Sequence, residues 1–412
     1  MGPVTDGTGR GTNMTKRPES SGPDAPPRVA WYNDPVKRGY IFQAVTLAVV
    51  IAIAWTIIHN TAVNLEKRHI AQGFGFLSTT AGFDVAQAPI SYPRDASYGR
   101  AILVGLVNSA IVAVIGIFFA TLFGFLVGVG RLSHNFVISR LCGAYVELIR
   151  NVPLLLQIFF WYFAVLSILP APRNSLQIIP SWVFLNNRGL YLPEFHFGGF
   201  AGTGIVWGFF AGLVISWFVR RWARRRQEET GQQFPAGWVS LGLILGLPLL
   251  AFAASGFDLT LVAAKKSTFN LQGGVQLIPE LMALVVALAI YTASFIAEVV
   301  RAGILAVSHG QTEAARSLGL SHGQNLRLVV IPQAMRVIIP PLTNQYLNLT
   351  KNSSLAVAIA YPDLVSLGGI VLNQSGQAIE VIAIWMAIYL GISVMTALVM
   401  NAYNRRMAIV ER

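Results

Sequence analysis

Long apolar stretches separated by short polar connections dominate the chain from residue 40 onwards. Runs with few or no charges occupy 40–58, 101–130, 152–170, 200–219, 236–256, 281–297 and 381–403, and a less pure eighth covers about 337–361. A hydrocarbon core about 30 Å thick takes roughly 20 helical residues to cross. Barrel strands would instead alternate in polarity over about 10 residues. The pattern therefore predicts an all-α integral membrane protein with about eight transmembrane helices.

Composition agrees. Of 412 residues 54% are hydrophobic and 12% are charged, against about 25% charged in a typical soluble domain. A water-soluble globule of this make-up would expose large apolar patches, so that class is excluded. Residues 1–29 hold five glycines and five prolines, and 1–39 read as a disordered tail. No short apolar core of a secretory signal occurs there.

The net charge of +12 locates the loops rather than suggesting nucleic acid. With the N-terminus inside, segments 1–39, 131–150, 220–237, 301–336 and 404–412 carry 21 of the 30 basic residues. The cluster Arg220, Arg221, Arg224, Arg225 and Arg226 is the strongest anchor, and by sequence it reads as a topology signal rather than a ligand site. A single cysteine, Cys142, excludes an internal disulfide. The six histidines (His59, His69, His134, His196, His309, His322) show no HxxxH spacing, so no metal site is expected.

The most informative polar segment lies between the sixth and seventh spans. It reads Ser308-His-Gly-Gln-Thr-Glu-Ala-Ala-Arg-Ser-Leu-Gly319, then Leu320-Ser321-His-Gly-Gln-Asn-Leu-Arg-Leu-Val-Val-Ile-Pro332. Ser308 with Gln311 and Ser321 with Gln324 both fit capping boxes, predicting two short helices. Glu313 falls in the first turn of the first helix, where an acid favours the positive end. Gly319 fits the residue that stops that helix with positive φ. Pro332 is expected to end the second helix. Ala314 and Ala315 leave a slim face for close approach. The segment is either a docking knob or a plain hairpin linking two spans.

Glu313, Ala314, Ala315, Gly319, Val329, Ile331 and Pro332 together resemble the EAA loop of ABC importer permeases, although Val329 and Ile331 stand where that family more often has Ile and Leu. The run from Arg150 to Gln157 resembles the Arg-Gly-x-Pro-Leu-x-x-Gln stretch of polar amino acid permeases, with Asn151 in place of Gly. The segments 294–304 and 344–355 are similar to the sequences flanking the loop in that family. The likeness covers about 97–170 and 281–405. The additional segments give a layout similar to permeases of general L-amino acid transporters of Gram-negative bacteria.

The resemblance implies a type I ABC importer permease core at 99–404, with a coupling loop at about 304–332. An extra N-terminal helix at 40–59, a periplasmic loop at 60–98 and cytoplasmic tails at 1–39 and 405–412 complete the chain. It implies an ABC ATPase dimer docked on Glu313, Ala314, Ala315, Gly319 and Pro332, a second and different permease subunit, and a periplasmic amino acid-binding protein. ATP and Mg belong to the ATPase, leaving no cofactor and no catalytic residue on this chain. No Gly-Lys pair occurs, so a Walker A phosphate loop is absent from the sequence. The location implied is the bacterial inner membrane, multi-pass, with both termini cytoplasmic.

Asn344, Asn348, Lys351 and Asn352 lie at helical positions 0, 4, 7 and 8, forming one polar stripe. An intramembrane lysine needs a partner or water. Lys351 is a candidate for the α-carboxylate of an amino acid, or it snorkels, or the stripe bonds to a second subunit. Gln157 is a second pathway candidate, with helix–helix bonding as the other reading. Glu147 and Arg150, and Glu298 and Arg301, have ion-pair spacing near the inner surface. The competing class, an ion-gradient-driven secondary transporter, ordinarily carries acids at mid-membrane and broken helices in paired repeats. The pure runs here hold almost no acids, and no internal repeat stands out. An intramembrane enzyme lacks a nucleophile–base pair.

Overall fold

The structure, a computed structural model, describes residues 35–67, 73–266 and 271–407. Of the expected tails at 1–39 and 405–412, residues 1–34 and 408–412 lie outside the described residues, while 35–39 open the first helix and 405–407 close the last. The chain divides into two units, Met1–Ala71 and Gln72–Arg412. The first contains α1 (Pro35–Lys67), which begins before and ends after the expected 40–59 helix. Its segment Arg38–Thr61 is apolar and long enough to cross a membrane.

In the second unit α2 (Tyr98–Gly130) starts at Ser97, whose hydroxyl accepts the Arg100 N–H at 3.3 Å as an N-cap should. After a short turn α3 (Phe136–Asn151) leads to α4 (Leu154–Phe159), and the two are bent by 106°. The expected span at 152–170 keeps its helical stretch at Leu154–Ile168, and the break falls at its start, where it joins α3. Pro153 has no N–H to continue the helix, and it holds Val152 extended at φ −100°, ψ 126°. A wide π turn (Phe160–Val165) and a single 3₁₀ turn (Leu166–Ile168) follow α4.

The connectors on the far side contain short strands that sequence periodicity did not suggest. β1 (Leu176–Ile179), β2 (Val183–Asn186) and β3 (Gly189–Leu192) precede β4 (Glu194–Phe197). Next comes a helical hairpin, α5 (Ala201–Thr230) and α6 (Ala236–Ala254), followed by β5 (Leu259–Val262), β6 (Lys265–Lys266), β7 (Leu271–Gln272) and β8 (Val275–Leu277). The sheet order is β1-β2-β3-β8, with separate pairs β4-β5 and β6-β7. Strands of two to four residues, two of them paired across the hairpin, are too short and too distant for alternation to reveal.

α7 (Pro279–Leu305) is the most deeply buried helix, packed chiefly against α2. Small residues allow that approach: a Cβ on Gly128 would lie 2.8 Å from the Ala297 carbonyl, and one on Gly124 would lie 3.1 Å from that of Ala293. Leu284, Leu288 and Ile296 fill the seam completely buried. α8 (His309–Ser317), α9 (His322–Asn325), a π turn (Leu326–Val330) and α10 (Ile331–Asn352) follow. Ile338 and Ile339 of α10 join the core. The chain closes with a 3₁₀ segment (Ser353–Ile359), the short α11 (Leu364–Ser375) and α12 (Ala378–Met407).

Seven helices among the described residues are long and apolar enough to span a membrane, or eight if the bent α3–α4 pair counts as one. That matches the expected all-α membrane architecture of about eight spans.

Candidate functional site

The loop at 306–330 folds as two short helices on the ends of α7 and α10. Gly319 has φ 76°, and the Leu318, Gly319 and Leu320 N–H groups bond back to the Ala314, Arg316 and Ala315 carbonyls, stopping α8 as expected. The Ser321–Gln324 capping box forms reciprocally, at 2.9 and 3.4 Å. The Ser308–Gln311 box does not. Ser308 makes no side-chain cap, and the Gln311 carbonyl oxygen instead accepts the amide of Gln333 at 3.2 Å, a long-range partner that outcompetes the local one. Glu313 lies in the second turn of α8 rather than the first, because the helix begins at His309. Pro332 does not end a helix. It sits in the first turn of α10, where its missing N–H is tolerated, and the π turn carries the helical path through.

The hairpin presents Glu313, Ala314 and Gly319 to solvent, keeps Pro332 half-buried and tucks Ala315 underneath. Leu318 is 82% exposed and Leu328 62%. An apolar tip of this kind suits a partner surface.

At the root of the loop Glu298 holds α2 and α7 together. Its carboxylate accepts from Arg301 at 2.6 Å and, on the other oxygen, from Arg131 at the end of α2. The Glu298–Arg301 pair follows from i, i+3 spacing, whereas Arg131 is 167 residues away in sequence and gave no local signal. Glu147 and Arg150 form no ion pair among the described residues; the Arg150 guanidinium lies 5.1 Å from the Phe295 ring centre. These groups line a cavity of about 380 Å³.

Gln157 is buried at the broken span. Its amide donates to the carbonyls of Ile149 and Val152, both at 2.9 Å, the groups that the Pro153 break leaves without helical partners. The other four candidates lie apart from it on α10. Asn344, Asn348 and Lys351 are exposed and Asn352 is half-buried, and their side chains have no hydrogen-bond partner among the described residues. An unsatisfied polar group in hydrocarbon costs several kcal/mol. This face therefore requires water or another protein chain over it. The same helix is tied inward by Thr121 and Tyr346, whose hydroxyls are 2.9 Å apart.

A buried polar knot joining α2 to α11 escaped sequence reasoning. The Asn108 amide donates to the Gln87 and Pro362 carbonyls, and Ser109 Oγ accepts the Leu364 N–H. Asp363 caps α11 through the Ser366 N–H, and Trp385 donates to the Leu364 carbonyl. The Asp363 cap was detectable as an Asp directly before an apolar run; the Asn108 contact, 254 residues distant, was not.

The profile of the family described as binding-protein-dependent transport system inner membrane component matches residues 204–409. The chain is also 52% identical over 386 residues to the general L-amino acid transport system permease protein AapQ of Rhizobium johnstonii, covering 93% of this chain and 96% of that one. The chain belongs to this permease family. A putative amino-acid ABC transporter permease protein of Escherichia coli, YhdX, is 49% identical over 92% of this chain and 97% of its own length. The glutamate/glutamine/aspartate/asparagine transport system permease protein BztB of Rhodobacter capsulatus is 39% identical over 93% of this chain and all of its own. The permease is thus a multi-pass membrane subunit of a transport system.

Proposed function

We propose that this permease carries L-amino acids through the inner membrane as part of an ATP-driven importer. One observation carries the reading. The exposed α8–α9 hairpin is continuous, through the π turn, with α10, whose polar face is uncovered. A push on the hairpin is a push on the polar stripe. The relatives named for general or acidic and amide amino acids support the cargo class.

In this reading an ABC ATPase dimer, holding ATP and Mg, docks on the hairpin at Glu313, Ala314, Gly319 and Pro332, with buried Ala315 seating the helix from beneath, and closes under the membrane. A second, different permease covers the α10 face and encloses the pathway. A periplasmic amino acid-binding protein delivers substrate, and both termini are cytoplasmic. Lys351 attracts the substrate carboxylate, with Asn344, Asn348 and Asn352 donating hydrogen bonds. Gln157 serves the pathway by holding the α3–α4 break open. Family membership favours ATP drive over an ion gradient.

The test is uptake of radiolabelled L-amino acids in inverted and right-side-out vesicles, comparing wild type with Lys351→Gln and Glu313→Ala at equal assembly. Lys351→Gln should raise KM severalfold, and Glu313→Ala should cut uptake together with the copurifying ATPase. An unchanged KM and rate in Lys351→Gln would remove that residue from the pathway. Uptake that survives ATP depletion but stops when the proton gradient collapses would overturn the importer assignment.

A further inference from the structure

The α5–α6 hairpin lies outside both the coupling loop and the polar stripe, and its construction is specific. Gly204, Gly208, Gly212 and Ser216 recur every four residues along α5. A Cβ on Gly212 would lie 2.8 Å from the Leu243 carbonyl, so α6 rests almost backbone to backbone on this row. Ser216 then bonds the Ser240 carbonyl, and Arg220 Nε bonds the Ser240 hydroxyl at 3.0 Å.

Beside that seam runs an open cleft. Its outer part, about 460 Å³, is lined by Leu213, Trp217, Arg220, Arg221, Arg224 and Ile244, among others. At Ile244 it meets a second groove of about 620 Å³ whose lining is wholly apolar, including Val206, Phe209, Phe210 and Pro248. Val206, Phe210, Leu213, Trp217, Arg220 and Arg224 follow one another at three- and four-residue steps, so one face of α5 carries both parts. From Arg220 back to Val206 is 14 residues, about 21 Å of helix, which exceeds one ~15 Å half of the hydrocarbon core.

Charge separates the two ends. Five arginines face only Glu228 and Glu229 here, and no ion pair joins them among the described residues. Arg224 and Arg225 have no partner among the described residues, and Arg220 is fixed through Nε, leaving its terminal nitrogens available. Trp217, more than half exposed, lines the opening, as at a membrane interface. α5 and α7 run in the same sense, so the arginines lie on the side of the coupling loop. Setting topology needs only the number of arginines; it does not need an apolar channel opening beneath them.

We infer that this cleft binds one anionic phospholipid of the cytoplasmic leaflet, with its phosphate held by Arg220, Arg221 and Arg224 and an acyl chain lying along Leu213, Phe210 and Val206. Guanidinium groups grip phosphate oxygens in a bidentate manner, and basic pockets at the cytoplasmic ends of spans suit such headgroups.

The test uses the full chain extracted from native membranes, delipidated and titrated with dioleoyl phosphatidylglycerol, dioleoyl phosphatidylcholine or inorganic phosphate, with bound species counted by native mass spectrometry. One variant combines Arg220→Gln and Arg224→Gln with Gln232→Lys and Gln233→Lys, which keeps the charge of the cytoplasmic turn and hence its orientation. A second, Ile244→Trp, fills the apolar part without touching charge. Phosphatidylglycerol should bind in preference to phosphatidylcholine and weaken about 25-fold in the charge-relocated variant. It should also weaken about tenfold in Ile244→Trp. Equal phosphatidylglycerol binding in wild type and both variants would overturn the site. Binding of inorganic phosphate that Ile244→Trp leaves unchanged, without preference for the lipid, would overturn the lipid assignment.

Discussion

Replacing Gln157 with leucine separates a brace from a substrate contact. Leucine preserves the bulk of a side chain that is only 6% exposed but removes both donations, to the Ile149 and Val152 carbonyls. A buried carbonyl deprived of its donor costs about 1–3 kcal/mol in water-soluble proteins. Inter-helical bonds in membranes average nearer 0.6 kcal/mol, since the alternative state also finds partners. Two bonds at a 106° break, where no continuing helix can take over the carbonyls, place the loss at about 1–3 kcal/mol. For a chain of this size that corresponds to a melting temperature lower by roughly 1–4 °C. The assay is thermal unfolding of the purified permease followed by Cys142 accessibility, paired with the KM for uptake. Reduced stability with KM intact is the expected result. A raised KM with unchanged melting would refute the bracing argument and make Gln157 a contact in the pathway.

Glu298→Gln should destabilise the α2–α7 junction by about 1–2 kcal/mol, between the values for exposed and buried pairs, because its partners are 18% and 32% exposed. Adding Arg131→Gln should cost little more; full additivity in a melting experiment would contradict a shared interaction. Gly128→Val places a Cβ 2.8 Å from the Ala297 carbonyl and should cost at least about 1–3 kcal/mol in stability. Gly143→Ala, with nothing within 4 Å, should cost none, and equal loss in both would refute the packing account. Gly319→Val puts a β-branched residue at φ 76° and should cost about 1–2 kcal/mol locally. Pull-down should then recover less ATPase, and undiminished recovery would show that the α8 stop does not shape the dock.

The spans and the α8–α9 hairpin were legible because their signals are local. A 20-residue apolar run, the Gly319 stop and the Ser321–Gln324 box each depend on neighbours within one or two turns. Three of the misses share one cause, a partner far along the chain. Gln333 takes Gln311 from its expected box, and Arg131 reaches Glu298 across 167 residues. Asn108 ties α2 to the start of α11 in the same manner. The turn at the head of the third span escaped for a different reason. Pro153 was visible, yet periodicity reports only where a helix is apolar and not the direction it takes after a break.

The α5–α6 hairpin enters and leaves through an antiparallel ribbon in which Phe197 stands opposite Leu259. Whatever is inserted between two such facing residues closes upon itself, so its length is uncoupled from the rest of the protein. An insert of two spans also has even parity, leaving every later segment on the side of the membrane it would otherwise occupy. The lineage can therefore lengthen, shorten or discard this arm, by a cut bridged with a two-residue turn, without reversing the sidedness of α7 and α10.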